Sequence, residues 1–158
     1  MKLEEQVDIR EAAPGDLGAV LEIERAAFGR EEEARLVSEL LDDPSARPVL
    51  SLLALSGGRA IGHILFTAAA VDGAPEWIGA SILAPLAVIP DFQRQGIGGK
   101  LIRRGLKMLS ASGTGLVFLV GHPGYYPRFG FTPAGAIGFQ PPFPLDARHQ
   151  EAGRKANT

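Results

Sequence analysis

The chain has 158 residues, 46% of them hydrophobic and 22% charged, which fits one soluble domain large enough to bury a real core. A formal net charge of −2 provides no global field to attract nucleic acid or an anionic lipid surface, and the absence of cysteine excludes disulfide frameworks, thiolate zinc sites and cysteine nucleophiles together. No apolar run reaches the roughly 18–20 residues a bilayer requires, and Met1 to Arg10 lacks a signal-peptide core, so a cytoplasmic protein without a membrane partner is expected.

In chain order, Val7-Asp8-Ile9-Arg10 alternates and predicts a short first strand. Pro14 and Asp16 open a helix that carries Leu17, Val20, Leu21 and Ile23, with Glu22, Glu24 and Arg25 among its polar positions, until Gly29 breaks it. A second helix, near Glu31 to Leu41, lines up Leu36, Val37, Leu40 and Leu41. Its acidic first turn, Glu31 to Glu33, suits the positive end of a helix dipole. Val49–Leu55 and Ala60–Val71 are expected as strands joined by a tight turn at Ser56-Gly57-Gly58-Arg59, with another turn at Asp72–Pro75. Trp77 to Val88 is a long apolar strand in which Pro85 should force a bulge or leave one side unpaired.

Gly96 to Ser112 is the clearest helix, with an apolar stripe of Ile97, Leu101, Ile102, Met108 and Leu109 opposite a basic one of Lys100, Arg103, Arg104 and Lys107. A buried strand follows at Leu116–Val120, then a compact turn from Gly121 to Gly130 and a strand beginning at Phe131. Residues 1–139 are assigned to one domain, and 140–158, proline-rich and then polar, to a poorly ordered tail. Strands that precede the main helix as a meander imply a mixed sheet with helices on its faces.

The chemistry concentrates between Val88 and Leu101. A strand, a glycine-rich bend and a helix form a phosphate-binding arrangement, because the first turn of a helix offers N–H groups with no internal partner. Spacing decides which loop this is. A Walker loop fails because Arg94 stands where its first glycine belongs and Leu101 follows Lys100. A dinucleotide loop counted from Gly96 needs glycine at Leu101. The pattern that remains is Gln/Arg-x-x-Gly-x-Gly/Ala, met by Gln93, Gly96 and Gly98.

With those residues in place, the segment from Leu86 to Gly98 resembles the fourth strand, loop and third helix of the GNAT family of N-acetyltransferases. Tyr126-Pro127-Arg128-Phe129-Gly130-Phe131 is similar to that family's Tyr-x-x-x-Gly-Phe block. The resemblance spans about Val7 to Ala134, and around Gly121–Tyr126 it is nearest to a bacterial branch of uncharacterised predicted acetyltransferases. It implies an α/β (α+β) fold with a mixed, mostly antiparallel central sheet and helices on both faces.

The resemblance further implies acetyl-CoA as co-substrate, with no metal. Its pyrophosphate would lie on the backbone of Gln93-Arg94-Gln95-Gly96-Ile97-Gly98-Gly99-Lys100, and its pantetheine beside Leu86-Ala87-Val88, where the strand is splayed from its neighbour. An N–H near Val88 would polarise the thioester carbonyl, and Tyr126 would protonate the departing thiolate. The acceptor would be a primary amine of a small molecule or peptide, bounded by Phe28–Glu33, and a homodimer sharing the carboxyl-terminal region is compatible with that.

Two departures from the family pattern stand out. Gly121-His122-Pro123-Gly124 leaves room only for a short turn before the tyrosine, which makes Tyr125 a neighbouring candidate. A final apolar strand is also not evident after Phe139. Both features favour the rival function, an acyl-CoA-binding or sensing module without turnover. His63 and His122 stand apart from any metal-ligand spacing and are assigned structural roles. The strand leading to Val88 holds no carboxylate, so Asp72, Glu76 and Ser81 are the nearest candidates for a base.

Overall fold

The structure, a computed structural model, describes residues 7–70, 79–121, 125–133 and 150–155. In chain order these form β1 (Val7–Glu11), α1 (Leu17–Phe28), α2 (Glu32–Asp42), β2 (Leu50–Ser56), β3 (Arg59–Ala69), β4 (Gly79–Val88), α3 (Ile97–Ala111), β5 (Thr114–Gly121), β6 (Thr132–Pro133) and β7 (Gln150–Lys155). The strands make one sheet in the order β1-β2-β3-β4-β5-β7-β6, in which β4 and β5 run parallel and every other pairing is antiparallel. This is the mixed, mostly antiparallel sheet that the resemblance implies.

The helices take opposite faces. Successive residues of a strand point to opposite sides, so Gly62 and Phe66 of β3 face one way and His63 the other. A side chain at Gly62 would stand 3.2 Å from Leu101 of α3, whereas His63 is bonded to Glu24 of α1. The α3 face is filled by Ile97, Leu101, Ile102, Leu106 and Leu109; four of these belong to the expected apolar stripe, while Leu106 joins them and Met108 is only partly buried. Close approach there depends on Gly105, because the Phe66 ring occupies the space a side chain at 105 would need. α1 buries Val20, Ile23 and Glu24, and α2 buries Ala34 and Val37. Gly29 ends α1 in the left-handed conformation (φ 66°) that suits glycine.

Pro85 has the expected effect. The β3–β4 register shifts between the Ile64↔Leu86 and Phe66↔Leu83 pairs, a bulge at Ala84-Pro85.

The strand expected from Phe131 is found one residue later as Thr132–Pro133, with Phe131 itself a core side chain, 2% exposed. One expectation is corrected. The poorly ordered tail drawn over 140–158 contains β7, which pairs with β5 on one side and β6 on the other. Ladder hydrogen bonds use backbone groups alone, so a polar segment can complete a sheet without an apolar pattern announcing it. The turn at Asp72–Pro75, the ends of the flanking strands at Val71 and Trp77, His122, and Asp72 and Glu76 as candidate bases lie outside the described residues.

Candidate active site

The site begins where two parallel strands part. β4 and β5 pair from Gly79↔Thr114 to Ile82↔Phe118. Beyond that point β4 runs on to Val88 with no partner on its β5 side among the described residues. Ile89 N–H donates to Ile61 O at 3.0 Å, so alternation along the strand turns the N–H of Val88 away from β3 and toward the gap. The gap therefore exposes unpaired backbone groups of β4, the template an extended ligand needs.

After Val88 the chain makes a single turn of 3-10 helix at Pro90–Phe92, then a tight loop into α3. Two residues of that loop are left-handed, Arg94 (φ 63°) and Gly96 (φ 82°). Gly96 caps α3 without a side-chain hydrogen bond, which leaves the first-turn N–H groups aimed into the loop. Arg94 in this conformation is uncommon for a residue with a side chain and marks a loop held by its surroundings. Gln93 Nε2 donates to Val88 O at 2.8 Å, and Gln95 Nε2 to Asp91 O at 3.2 Å. Both amides tie the loop to itself and to the end of β4.

Against this loop lies a cleft of about 590 Å³, walled by Leu86, Val88, Phe92, Gln93, Arg94, Gly96, Ile97, Gly98, Gly99, Arg103, Tyr125, Arg128 and Phe129. Glycine makes the wall thin, since a Cβ at 98 would stand 3.1 Å from Tyr125 Oη and 3.7 Å from Leu86 Cδ2. The rest of the lining is aromatic and cationic. The Arg103 guanidinium lies 5.1 Å from the Phe129 ring centre, and that of Arg128 4.8 Å from the Tyr125 ring centre. Three guanidiniums and a helix N-terminus on one cleft suit a phosphorylated ligand.

The two tyrosines differ although they are adjacent. Tyr125 walls the cleft; Tyr126 does not, and packs edge-on against Tyr125 and Phe131 at 5.1 and 5.9 Å between centroids. Burial pushes the Tyr126 hydroxyl up to about 12, with Tyr125 adding in the same direction. Burial also raises Tyr125, against the opposing charges of Arg128 and Arg103. Both phenols therefore stay protonated through neutral pH and can act as donors.

On the other face of the sheet, Glu24 and His63 are both 0% exposed, and His63 joins Glu24 Oε2 at 2.8 Å and Ser51 Oγ at 2.9 Å. Glu24 was expected among the polar positions of α1. The structure buries it because its partner lies 39 residues away on β3. The acidic run after α1 is committed to ion pairs, Glu31 with Arg25 and Glu32 and Glu33 with Arg30.

Of the residues singled out by sequence, the cleft gathers Leu86, Val88, Gln93, Arg94, Gly96, Ile97, Gly98 and Gly99. Ala87 is buried on the His63 side, paired with His63 across β3–β4, and Lys100 lines a separate groove beside Val7–Ile9. Gln95 and Tyr126 are also off the wall. Tyr125, the neighbouring candidate, and Arg103 of the basic stripe are on it too; Phe92, Arg128 and Phe129 join them, and these three lie within the two motifs, so proximity to a motif was their available signal. Among the described residues no cluster of three His, Asp or Glu side chains is placed to hold a metal, and no helix is long and apolar enough to cross a membrane.

Comparison with known proteins agrees with this geometry. Residues 8–134 match the family described as "Acetyltransferase (GNAT) domain". The chain is 50% identical over 136 residues, 85% of its length and 75% of the relative's, to the uncharacterized N-acetyltransferase YjhQ of Escherichia coli K12. Among solved structures, the E. coli GNAT family N-acetyltransferase YhbS in complex with CoA superposes with a TM-score of 0.86 at 28% identity, covering 96% of this chain and 82% of that one. A GNAT family acetyltransferase from Brucella melitensis in complex with acetyl-CoA gives 0.73 at 34% identity, covering 92% and 94%.

Proposed function

The chain belongs to the GNAT family of acyl-CoA-dependent acetyltransferases, and from that premise we propose that it transfers an acetyl group from acetyl-CoA to a primary amine of a small molecule or peptide by direct attack. The observation that carries this is the parting of β4 from β5 beyond Ile82↔Phe118, directly beside the glycine-walled cleft at the start of α3. Two solved relatives with the same fold hold CoA and acetyl-CoA.

The residues present fit such a ligand, since one cleft of about 590 Å³ brings the start of α3 together with the guanidiniums of Arg94, Arg103 and Arg128. Acetyl-CoA supplies an activated thioester. The chain's own parts do the rest. The amides from Arg94 to Gly99 and the guanidiniums of Arg94, Arg103 and Arg128 take the phosphates, whereas the Lys100 N–H is already bonded to Gly96 O. The open edge of β4 at Leu86-Ala87-Val88 orients the pantetheine arm, and the Val88 N–H, turned into the gap, donates to the thioester carbonyl as charge builds there. Tyr126 gives its proton to the departing sulfur. Its raised affinity for that proton keeps it in the donor form until the thiolate develops.

The competing function is a module that binds acyl-CoA without turnover. It is favoured by the position of Tyr126, which is off the cleft wall while Tyr125 is on it. Thiol release from acetyl-CoA across a panel of primary amines separates the two. Transfer predicts release with at least one amine, slowed in Tyr126→Phe with acetyl-CoA affinity unchanged. Binding without release from any amine would favour the module, and unchanged turnover in Tyr126→Phe would move the donor role to Tyr125.

A further inference from the structure

Glu24, His63 and Ser51 form a hydrogen-bonded chain that the chemistry above leaves unused. Glu24 Oε2 and Ser51 Oγ occupy the two ring nitrogens of His63, whereas Glu24 Oε1 is buried with no hydrogen-bond partner among the described residues. A buried carboxylate oxygen without a donor is costly, and such an atom in a native fold calls for a ligand or a function.

Resting on the amine-transfer reading, we propose that Glu24 is the general base of the reaction, taking the proton of the acceptor ammonium at Oε1 through a single bridging water, with His63 and Ser51 as positioning residues. The placement is consistent with this. Glu24 lies one helical turn before Phe28, which is 41% exposed at the joint between α1 and α2. α1 packs on the face of β3 opposite α3. His63 pairs across β3–β4 with Ala87, next to Val88 at the end of β4.

The hydrogen bonds then have defined directions. With Glu24 ionised, its carboxylate can only accept, so His63 Nδ1–H donates to Oε2, and the Ser51 hydroxyl donates to Nε2. Oε1 is the acceptor left over. The groups facing Glu24 are His63 from β3 and Glu33 from α2. Burial raises the proton affinity of Glu24, His63 opposes that, and the charge of Glu33 adds to it. A base shifted upward is better matched to neutral pH. In the step itself the ammonium N–H bond breaks and the proton passes to Glu24. The freed lone pair forms the N–C bond, the C–S bond breaks, and the sulfur takes the tyrosine proton. Glu24 later returns its proton to solvent.

The test is the pH–rate profile of the wild type and Glu24→Gln at saturating acetyl-CoA, with acetyl-CoA affinity measured beside it. The expected result is turnover lowered by about 10²-fold or more at pH 7 with affinity unchanged. The deficit should shrink by about tenfold per pH unit as the amine comes to deprotonate unaided. Wild-type turnover in the variant, or a deficit constant across pH, overturns the assignment. Should circular dichroism show Glu24→Gln unfolded, Ser51→Ala replaces it. Loss of the hydroxyl frees the ring tautomer, and the acidic limb of the profile should move to higher pH; an unmoved limb overturns the assignment. A wild type that binds acetyl-CoA and acetylates no amine overturns the transfer reading and this base with it, whereas active wild type with an equally active variant overturns the base alone.

Discussion

Two glycines of the cofactor loop, two positions apart, should respond in opposite ways to the same substitution. Gly96 is left-handed (φ 82°), and a Cβ there would meet nothing within 4 Å, so Gly96→Ala has only a backbone cost. An L-residue in that region costs roughly 1–2 kcal/mol, and the stiffer unfolded chain returns about 0.4–1 kcal/mol. The net is a destabilisation of roughly 1 kcal/mol, or a fall in Tm of about 2–4 °C for a domain of this size. Gly98 lies in the first turn of α3 without a positive φ, and its Cβ would meet the Tyr125 hydroxyl at 3.1 Å, a contact relieved by a few tenths of an ångström at the tip of one side chain. Alanine also gains up to about 1 kcal/mol in helix propensity, so Gly98→Ala should be no less stable than the wild type. Thermal melts of the three proteins, with and without acetyl-CoA, measure both effects. Gly96→Ala should also show a smaller ligand-induced rise, because relaxing the strain turns loop amides away. A Gly96→Ala protein as stable as the wild type, beside a weakened Gly98→Ala, would refute the reasoning.

Gly105→Ala should destabilise by about 1–2 kcal/mol, an overpacking cost of about 1–3 kcal/mol partly offset by helix propensity. The Phe66 ring, 1% exposed, has its Cζ 2.5 Å from where the new methyl would stand. Urea unfolding reads this directly, and a more stable variant would show that α3 shifts freely. Glu24 makes a signed prediction. Its proton affinity is raised in the folded chain, so between its ordinary value and the raised one the native state holds more protons than the unfolded state. Stability contributed by Glu24 is therefore full below the ordinary glutamate range and lost as pH rises through the raised value. The stability of the wild type minus that of Glu24→Gln, from urea unfolding at pH 4 to 8, should decline with pH; a rising or flat difference contradicts it.

The parts of this fold legible in the sequence were those written in local pattern. The opposed stripes of α3, the Gly29 stop, the bulge at Pro85 and the glycines between Gln93 and Lys100 each follow from neighbours within a few residues, and the structure keeps them all. What was not legible depends on distant partners. Glu24 reads as a surface position on α1 until His63 arrives from β3. β7 has no apolar alternation because its ladder bonds to β5 and β6 are made by backbone. Whether Tyr125 or Tyr126 meets the cleft is set by the turn at Tyr126–Phe129, where one residue of rotation exchanges the two rings. The left-handed Arg94 has no sequence signal, since arginine is not chosen for that conformation.

Acetyl-CoA titrated into the pure protein, followed by thermal unfolding, tests most directly whether the cleft beside β4 and α3 is a cofactor site. Linkage gives about 2.7 kcal/mol of added stability at a hundredfold excess over Kd, which for a chain of this size is a rise in Tm of roughly 5–10 °C. That rise is expected to be saturable, and to be reduced when Arg103 and Arg128 are both replaced by alanine. A melting temperature unmoved by millimolar acetyl-CoA would contradict it.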